Sequence, residues 1–282
     1  MRLDQFRQEA TRLLMDSPHF EEAVSVVDFI LCARLEVTNS SLRIDPSIEL
    51  SVGQLHQLNA DVARLRMGEP MQYVLGHAWF DGLRLNVDSR VLIPRPETEE
   101  LVQRAHAAFP EAKMIVDLCS GSGCIALACK QRMPSAEVFA VELDSGALEV
   151  IRMNADRTGL SIGQIQADVL EVDAASLLPG DIDLLISNPP YVLLGEAKDM
   201  SALVLEHEPH LALFVPDTDP LIFYRSIATL ATRMASGGQI WLEVNPHYAS
   251  AVSVLFQAPV FSNTRVHVDL SGKQRFVSVH KS

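Results

Sequence analysis

The sequence is short of positive charge, of cysteine and of long apolar runs, and each shortage closes off a class of protein. Lys and Arg number 23 against 36 Asp and Glu in 282 residues, a formal net charge of −13. Nucleic-acid binders carry a basic footprint, and no basic run occurs here, so direct nucleic-acid binding is not expected. An acidic surface suits a small molecule or a basic protein partner. The four cysteines, Cys32, Cys119, Cys124 and Cys129, include no CxxC pair. Cys124 and Cys129 fall about 140° apart around a helix, which speaks against zinc and against a disulfide framework. They are expected as small buried hydrophobes. The nine histidines show no HExxH or other ligand spacing, so no metal is expected. No apolar run reaches the ~18 residues of a membrane span. The start, Met1-Arg2-Leu3-Asp4-Gln5-Phe6, mixes charged and apolar residues and lacks a signal-peptide core. A cytoplasmic, monomeric protein without a membrane anchor is the expectation.

What the chain does have is apolar content. Hydrophobic residues make up 48% and charged residues 21%, enough for a sizeable core. Residues 1–70 carry helical stripes: Phe6, Ala10, Leu13 and Leu14; then, after a Ser17-Pro18 start signal, Ala23, Val24, Val27, Ile30 and Leu31. Ser51 is placed to cap a third helix through Leu55, Leu58, Val62 and Leu65, stopped at Gly68-Glu69-Pro70. A small helical domain over 1–72 follows. In 73–95, Ala78-Trp79-Phe80 and Leu83-Arg84-Leu85-Asn86-Val87 flank Asp81-Gly82, a strong hairpin signal, and this segment is expected as a β-hairpin linker.

From 96 to 282 strands and helices alternate. Strands are expected at 113–118, 137–141, 162–166, 182–187, 239–244, 266–270 and 276–280. Helices are expected from 123 to 132, 145 to 157 and 219 to 235. Such alternation predicts a parallel sheet covered by helices on both faces, an α/β fold.

The first of these strands runs into Asp117-Leu118-Cys119-Ser120-Gly121-Ser122-Gly123, where glycines let backbone approach a ligand at a helix start. Glu142 ends the next strand, nineteen residues past Gly123, placed to accept from two ribose hydroxyls. Turn and acid together point to a nucleoside-type cofactor; the plain alternative is a tight βα turn. A dinucleotide dehydrogenase also fits G-x-G-x-x-A. Asp117 argues against it, being poorly placed for pyrophosphate and well placed for a cationic amino group. A donor with ribose and a cation but no phosphate is S-adenosylmethionine.

Asn188-Pro189-Pro190-Tyr191 follows the apolar strand at 182–187. Two prolines cannot continue a ladder, so the chain turns out there. The turn gathers an amide side chain, carbonyls without competing N–H groups and an aromatic face. That set suits a planar –NH2 group, and therefore chemistry on an amide or amino nitrogen. A Pro-Pro turn that only caps a strand is the alternative.

Together, Asp117, Gly121-Ser122-Gly123, Glu142, Asp168 and Asn188-Pro189-Pro190-Tyr191 resemble the class I S-adenosylmethionine-dependent methyltransferases that modify amino or amide nitrogens. Gly68-Glu69-Pro70, Gly76 and Val91-Leu92-Ile93-Pro94-Arg95-Pro96-Glu97-Thr98-Glu99 are similar to the release-factor glutamine N5-methyltransferases. So are Glu208-Pro209, Ala212-Leu213 and Asp269-Leu270-Ser271-Gly272-Lys273, and the likeness covers nearly the whole chain. It implies a Rossmann-like sheet, mostly parallel with an antiparallel strand near the C-terminus. It implies methyl transfer from S-adenosylmethionine, leaving S-adenosylhomocysteine. The acceptor it implies is the glutamine of the Gly-Gly-Gln motif of class 1 peptide-chain release factors. Ribosomal-protein glutamine methyltransferases, nucleic-acid amino-methyltransferases and a non-catalytic binding module rank behind it.

By the same resemblance, Asp117, Cys119, Ser120, Gly121, Ser122, Gly123, Glu142, Asp168, Val169 and Asn188 hold the cofactor. Glu142 takes the ribose, and Asp168 and Val169 border the adenine. Asn188, Pro189 and Tyr191 form the catalytic set, and Asn188, Pro189, Pro190, Tyr191, Arg95 and Glu97 the substrate pocket. Three positions depart from the family. Cys119 replaces a usual glycine, a change easily carried if residue 119 avoids positive φ. Val169 replaces a bulkier side chain, and Glu243-Val244-Asn245-Pro246 replaces a Glu-x-Gly. No strong general base stands out, so catalysis by orientation, with proton loss to water after transfer, is the expectation.

Overall fold

The computed structural model describes residues 1–17, 22–44, 48–171 and 174–282; Pro18 of the expected helix start lies outside them. The helices are α1 (Leu3–Met15), α2 (Ala23–Leu35), α3 (Asn39–Ile44), α4 (Val52–Arg66), α5 (Met71–Leu75), α6 (Pro96–Ala108), α7 (Cys124–Arg132), α8 (Ser145–Thr158), α9 (Ala174–Leu177), α10 (Ala202–His207), α11 (Ile222–Leu230) and α12 (Ala249–Val254). The strands are β1 (His77–Phe80), β2 (Leu83–Asn86), β3 (Met114–Leu118), β4 (Glu137–Glu142), β5 (Gly163–Gln166), β6 (Leu184–Ser187), β7 (Val192–Leu193), β8 (Phe214–Val215), β9 (Gln239–Glu243), β10 (Phe261–Val268) and β11 (Gln274–Lys281). Two compact units result: Met1–His77 with Ser201–His207, and Ala78–Met200 with Glu208–Ser282. Most of the hairpin segment is thus counted within the second unit.

In the first unit, apolar residues at helical spacing meet in one core. Leu3, Phe6, Ala10 and Leu14 of α1 pack with Ala23, Val27, Ile30 and Leu31 of α2 and Leu58, Val62 and Leu65 of α4. Val24, expected in that stripe, is instead 49% exposed, because one residue beyond Ala23 is a 100° step around the helix. Ser51 caps α4: its hydroxyl accepts from the Gln54 N–H at 3.2 Å, and Gln54 reaches back to the Ser51 N–H at 3.0 Å. The buried charge of Asp61 is matched by Arg34, whose guanidinium donates to both carboxylate oxygens at 2.7 and 2.9 Å. A buried pair of this kind is costly to break from one side.

The second unit is a seven-stranded sheet in the order β10-β11-β9-β6-β3-β4-β5. β5, β4, β3, β6 and β9 run parallel, while β11 and β10 are antiparallel additions. Alternate residues feed opposite faces. Ile115, Leu184 and Trp241 join Leu101, Ile125 and Ile151 on one side. Val116, Leu185 and Ile240 join Tyr224, Ile227 and Val252 on the other. The central strands β3 and β6 are therefore buried on both faces, their buried polar residues being Asp117 and Ser187 at or next to the carboxyl ends.

Two elements differ from expectation by more than two residues at a boundary. The helix expected over 219–235 is α11 followed by a 3-10 turn, Ala231–Arg233; Pro220 disfavours helical geometry at Asp219. β10 begins well before 266 and ends before Leu270, which stands 93% exposed in the β10–β11 turn. Asp269 closes that turn by accepting from the N–H groups of Ser271 and Lys273, both at 2.9 Å. Asp81 and Gly82 have φ of 49° and 78°, the two left-handed residues of a type I′ hairpin turn.

Candidate active site

β3 and β6 are parallel neighbours with Leu118 opposite Ser187, and the Ser187 hydroxyl donates to the Leu118 carbonyl at 2.6 Å. The strand order reverses between them, with β4 and β5 to one side and β9 to the other. Such a reversal opens a crevice at the carboxyl ends of the strands. The glycine loop leaves β3 there and Asn188-Pro189-Pro190-Tyr191 leaves β6. A cavity of about 380 Å³ opens at this place. Its walls include Arg95, Thr98, Cys119, Ser120, Gly121, Ser122, Glu142, Asp168, Val169, Asn188, Pro190 and Phe223. Asp117, Gly123, Pro189, Tyr191 and Glu97 are not among its lining residues.

The loop turns by placing alternate residues in left-handed backbone: Cys119 at φ 59°, Gly121 at 54° and Gly123 at 77°. Glycine adopts this freely, but a cysteine there costs about 1–2 kcal/mol. Cys119 therefore takes the positive φ that its side chain disfavours. Burial pushes its thiol well above the usual range, so it is not a reactive thiolate. A Cβ added at Gly121 would meet no atom within 4 Å and would stand in the cavity. At Gly123 it would press on Ile151 at 3.2 Å.

Beneath the loop, Asp117 is fully buried as the next-to-last residue of β3. Its Oδ2 accepts from the Ala126 N–H at 3.2 Å, and its Oδ1 has no hydrogen-bond partner. Burial pushes its carboxyl up to about 8. Glu142 is locked by three backbone donors: Gly121 N–H at 2.8 Å on Oε2, and Leu143 and Asp144 N–H at 2.8 and 3.0 Å on Oε1. It thereby ties the β3 loop to the end of β4. Asp168 Oδ1 accepts from the Leu170 N–H at 2.9 Å, which sets the turn after β5. Val169 is buried, and its carbonyl accepts from the Ser226 hydroxyl of α11. Phe223, from the same helix, lines the cavity and packs in the same apolar cluster. Val169 and Phe223 thus share one apolar wall of the cavity.

On the β6 side, Asn188 Nδ2 donates to Thr98 Oγ1 at 3.1 Å, and Thr98 Oγ1 donates to Glu243 Oε2 at 2.7 Å. Tyr191 turns its hydroxyl away from the cavity to donate to Glu243 Oε1 at 3.0 Å. Tyr224 donates to the Glu243 carbonyl at 3.1 Å. Burial pushes the Glu243 carboxyl up, while the Thr98 and Tyr191 hydrogen bonds and the Arg275 charge hold it down. Arg95 is held by Glu208 at 2.5 Å, and the second Glu208 oxygen accepts from the Ile93 N–H at 3.1 Å. Glu97 sits in the first turn of α6. Sequence reasoning passed over Thr98, Glu243 and Phe223 as site residues. Thr98 lies within the Arg95-Pro96-Glu97-Thr98 run, but no local pattern joins residue 98 to residue 243.

Residues 96–211 match a family model described as Methyltransferase small domain, and residues 5–76 match the PrmC N-terminal domain. A protein of Flavobacterium psychrophilum named release factor glutamine methyltransferase is 35% identical over 99% of this chain and 99% of its own length. One of the same name from Bacteroides thetaiotaomicron is 36% identical over 93% of this chain and 94% of its own. Among solved structures, a methyltransferase from Pyrococcus furiosus superposes with a TM-score of 0.51 at 13% identity, covering 82% of this chain and 98% of that one.

Proposed function

The chain belongs to the release factor glutamine methyltransferases, and from that membership we propose that it methylates N5 of the glutamine in the Gly-Gly-Gln motif of class 1 release factors, in the cytoplasm. The observation that carries the reading is the pairing of Leu118 with Ser187, which sets a nucleoside-type loop and an amide-bearing turn on the same cavity.

The residues present fit S-adenosylmethionine. Gly121 lines the cavity, with open space where a Cβ would stand. Asp117 stands behind the loop and off the cavity wall, where it accepts from the Ala126 N–H and holds the start of α7 against β3. Glu142 keeps acceptor capacity beyond its three backbone donors for ribose hydroxyls. Asp168, Val169 and Phe223 form the wall suited to adenine. When bound, the cofactor supplies a methyl group on a sulfonium sulfur, which needs no further activation.

The chain's own task is the acceptor. An amide nitrogen is a poor nucleophile because its lone pair is shared with the carbonyl, so orientation is the main lever. Asn188 Oδ1, on the cavity wall, accepts an amide N–H, aims the nitrogen and stabilises positive charge as it develops; the Pro189 carbonyl, expected to take the second N–H, lies off that wall. Tyr191, anchored by Glu243, holds the turn in shape. Arg95, fixed by Glu208, flanks the acceptor side of the cavity. Residues 1–72 dock the protein substrate.

The test is peptide mass spectrometry of a release factor incubated with this protein and isotope-labelled cofactor. One added methyl on the Gly-Gly-Gln glutamine is expected. Label on another residue, or no label, contradicts the reading.

A further inference from the structure

We propose that Thr98 is a positioning residue that fixes which way round the Asn188 amide stands. This rests on the methyl-transfer reading above and adds the origin of its acceptor geometry. An amide side chain presents either an acceptor or a donor to its ligand, and the two orientations are nearly the same shape. A substrate –NH2 needs the acceptor, so half of the orientations of Asn188 are useless.

Hydrogen-bond direction settles the choice. Glu243 is 2% exposed at the end of β9, and two hydroxyls converge on its two oxygens, Thr98 at 2.7 Å and Tyr191 at 3.0 Å. The positive charge of Arg275 faces it, and Arg275 is itself held by Asp269 at 3.4 Å. In its ionised form, which those two donors and Arg275 favour against the pull of burial, Glu243 only accepts. Thr98 therefore spends its single proton on Glu243. What Thr98 Oγ1 has left for Asn188, 3.1 Å away, is lone pairs. Asn188 must then offer Nδ2 to Thr98, which leaves Oδ1 as the group for the substrate. Thr98 is itself rigid: it is buried in the first turn of α6, with its N–H bonded to the Arg95 carbonyl at 3.1 Å. The order Glu243, Thr98, Asn188 is thus a one-way chain from a buried charge to the reacting amide.

The test is Thr98→Val, which keeps the shape and removes the hydroxyl, beside Thr98→Ser, which keeps the hydroxyl. With wild type as reference, kcat on a release factor is expected to fall at least tenfold in Thr98→Val. The KM for the methyl donor should stay within about twofold. Thr98→Ser should recover most of kcat. In an Asn188→Ala background, Thr98→Val should cause no further loss, because the group it orients is gone. Three results overturn the proposal: full kcat in Thr98→Val, Thr98→Ser as slow as Thr98→Val, or a multiplied loss in the double variant. If the wild type itself transfers no methyl to glutamine, the functional reading fails and this inference with it. If the wild type transfers and Thr98→Val matches it, the inference alone fails.

Discussion

On the β3 side of the cavity the shaping groups are backbone; on the β6 side they are side chains drawn from separate elements. Cys119, Gly121 and Gly123 set the loop by their φ angles, and Glu142 clamps it through N–H groups of residues 121, 143 and 144. Asn188, in contrast, depends on Thr98 of α6 and Glu243 of β9. Backbone cradles tolerate side-chain change provided the φ angles survive. Side-chain relays do not, because removing one partner strands the next in a buried place. The two halves should therefore fail differently when cut.

The largest effect is expected at the acceptor. Asn188→Ala should lower methyl transfer by about 10²–10³-fold, the usual cost of removing one charge-stabilising group. Transfer of labelled methyl to a release factor measures it, and wild-type activity in the variant breaks the division. Next comes the donor clamp. Glu142→Ala strands the Gly121 N–H and removes the ribose acceptor, so donor affinity should weaken about 10–100-fold by calorimetry. An unchanged dissociation constant contradicts the ribose role.

Asp117 gives a pH signature from under the loop. Its carboxyl moves from an ordinary 3.8 to about 8 on burial. Below pH 3.8 both folded and unfolded chains hold the proton. Between about 4 and 8 only the unfolded chain releases it, so stability falls as pH rises through that window and levels off above 8. Asp117→Asn should remove this fall and raise the melting temperature at pH 7.5 by several degrees. A variant that melts lower at pH 7.5 contradicts it. The smallest effect belongs to Cys119→Gly. Relief of left-handed strain, about 1–2 kcal/mol, is offset by about 0.5–1 kcal/mol of added freedom in the unfolded chain. Net stabilisation should stay below about 1.5 kcal/mol in chemical denaturation. Destabilisation would show that thiol packing outweighs strain.

The same contrast decided what could be read from sequence. Gly121, Gly123 and Glu142 announce themselves because a βα turn and the end of the next strand are local signals, and the alternating pattern gave the sheet. The Asp81-Gly82 hairpin and the Ser51 cap were legible for the same reason. Thr98 and Glu243 were not, since their meeting depends on α6 lying across the end of β9, 145 residues away in sequence. Phe223 was hidden likewise, as an apolar residue on an amphipathic helix reads first as core. The positive φ of Cys119 could not be read because side-chain identity argued for the opposite conformation.

The separation of the two halves is tested most directly by calorimetric titration of the methyl donor into Asn188→Ala. Because Asn188 also borders the donor, a dissociation constant within about fivefold of the wild type is predicted, with transfer lost. A weakening as large as that of Glu142→Ala would contradict the account, because the donor cradle and the acceptor clamp would then be one interdependent site.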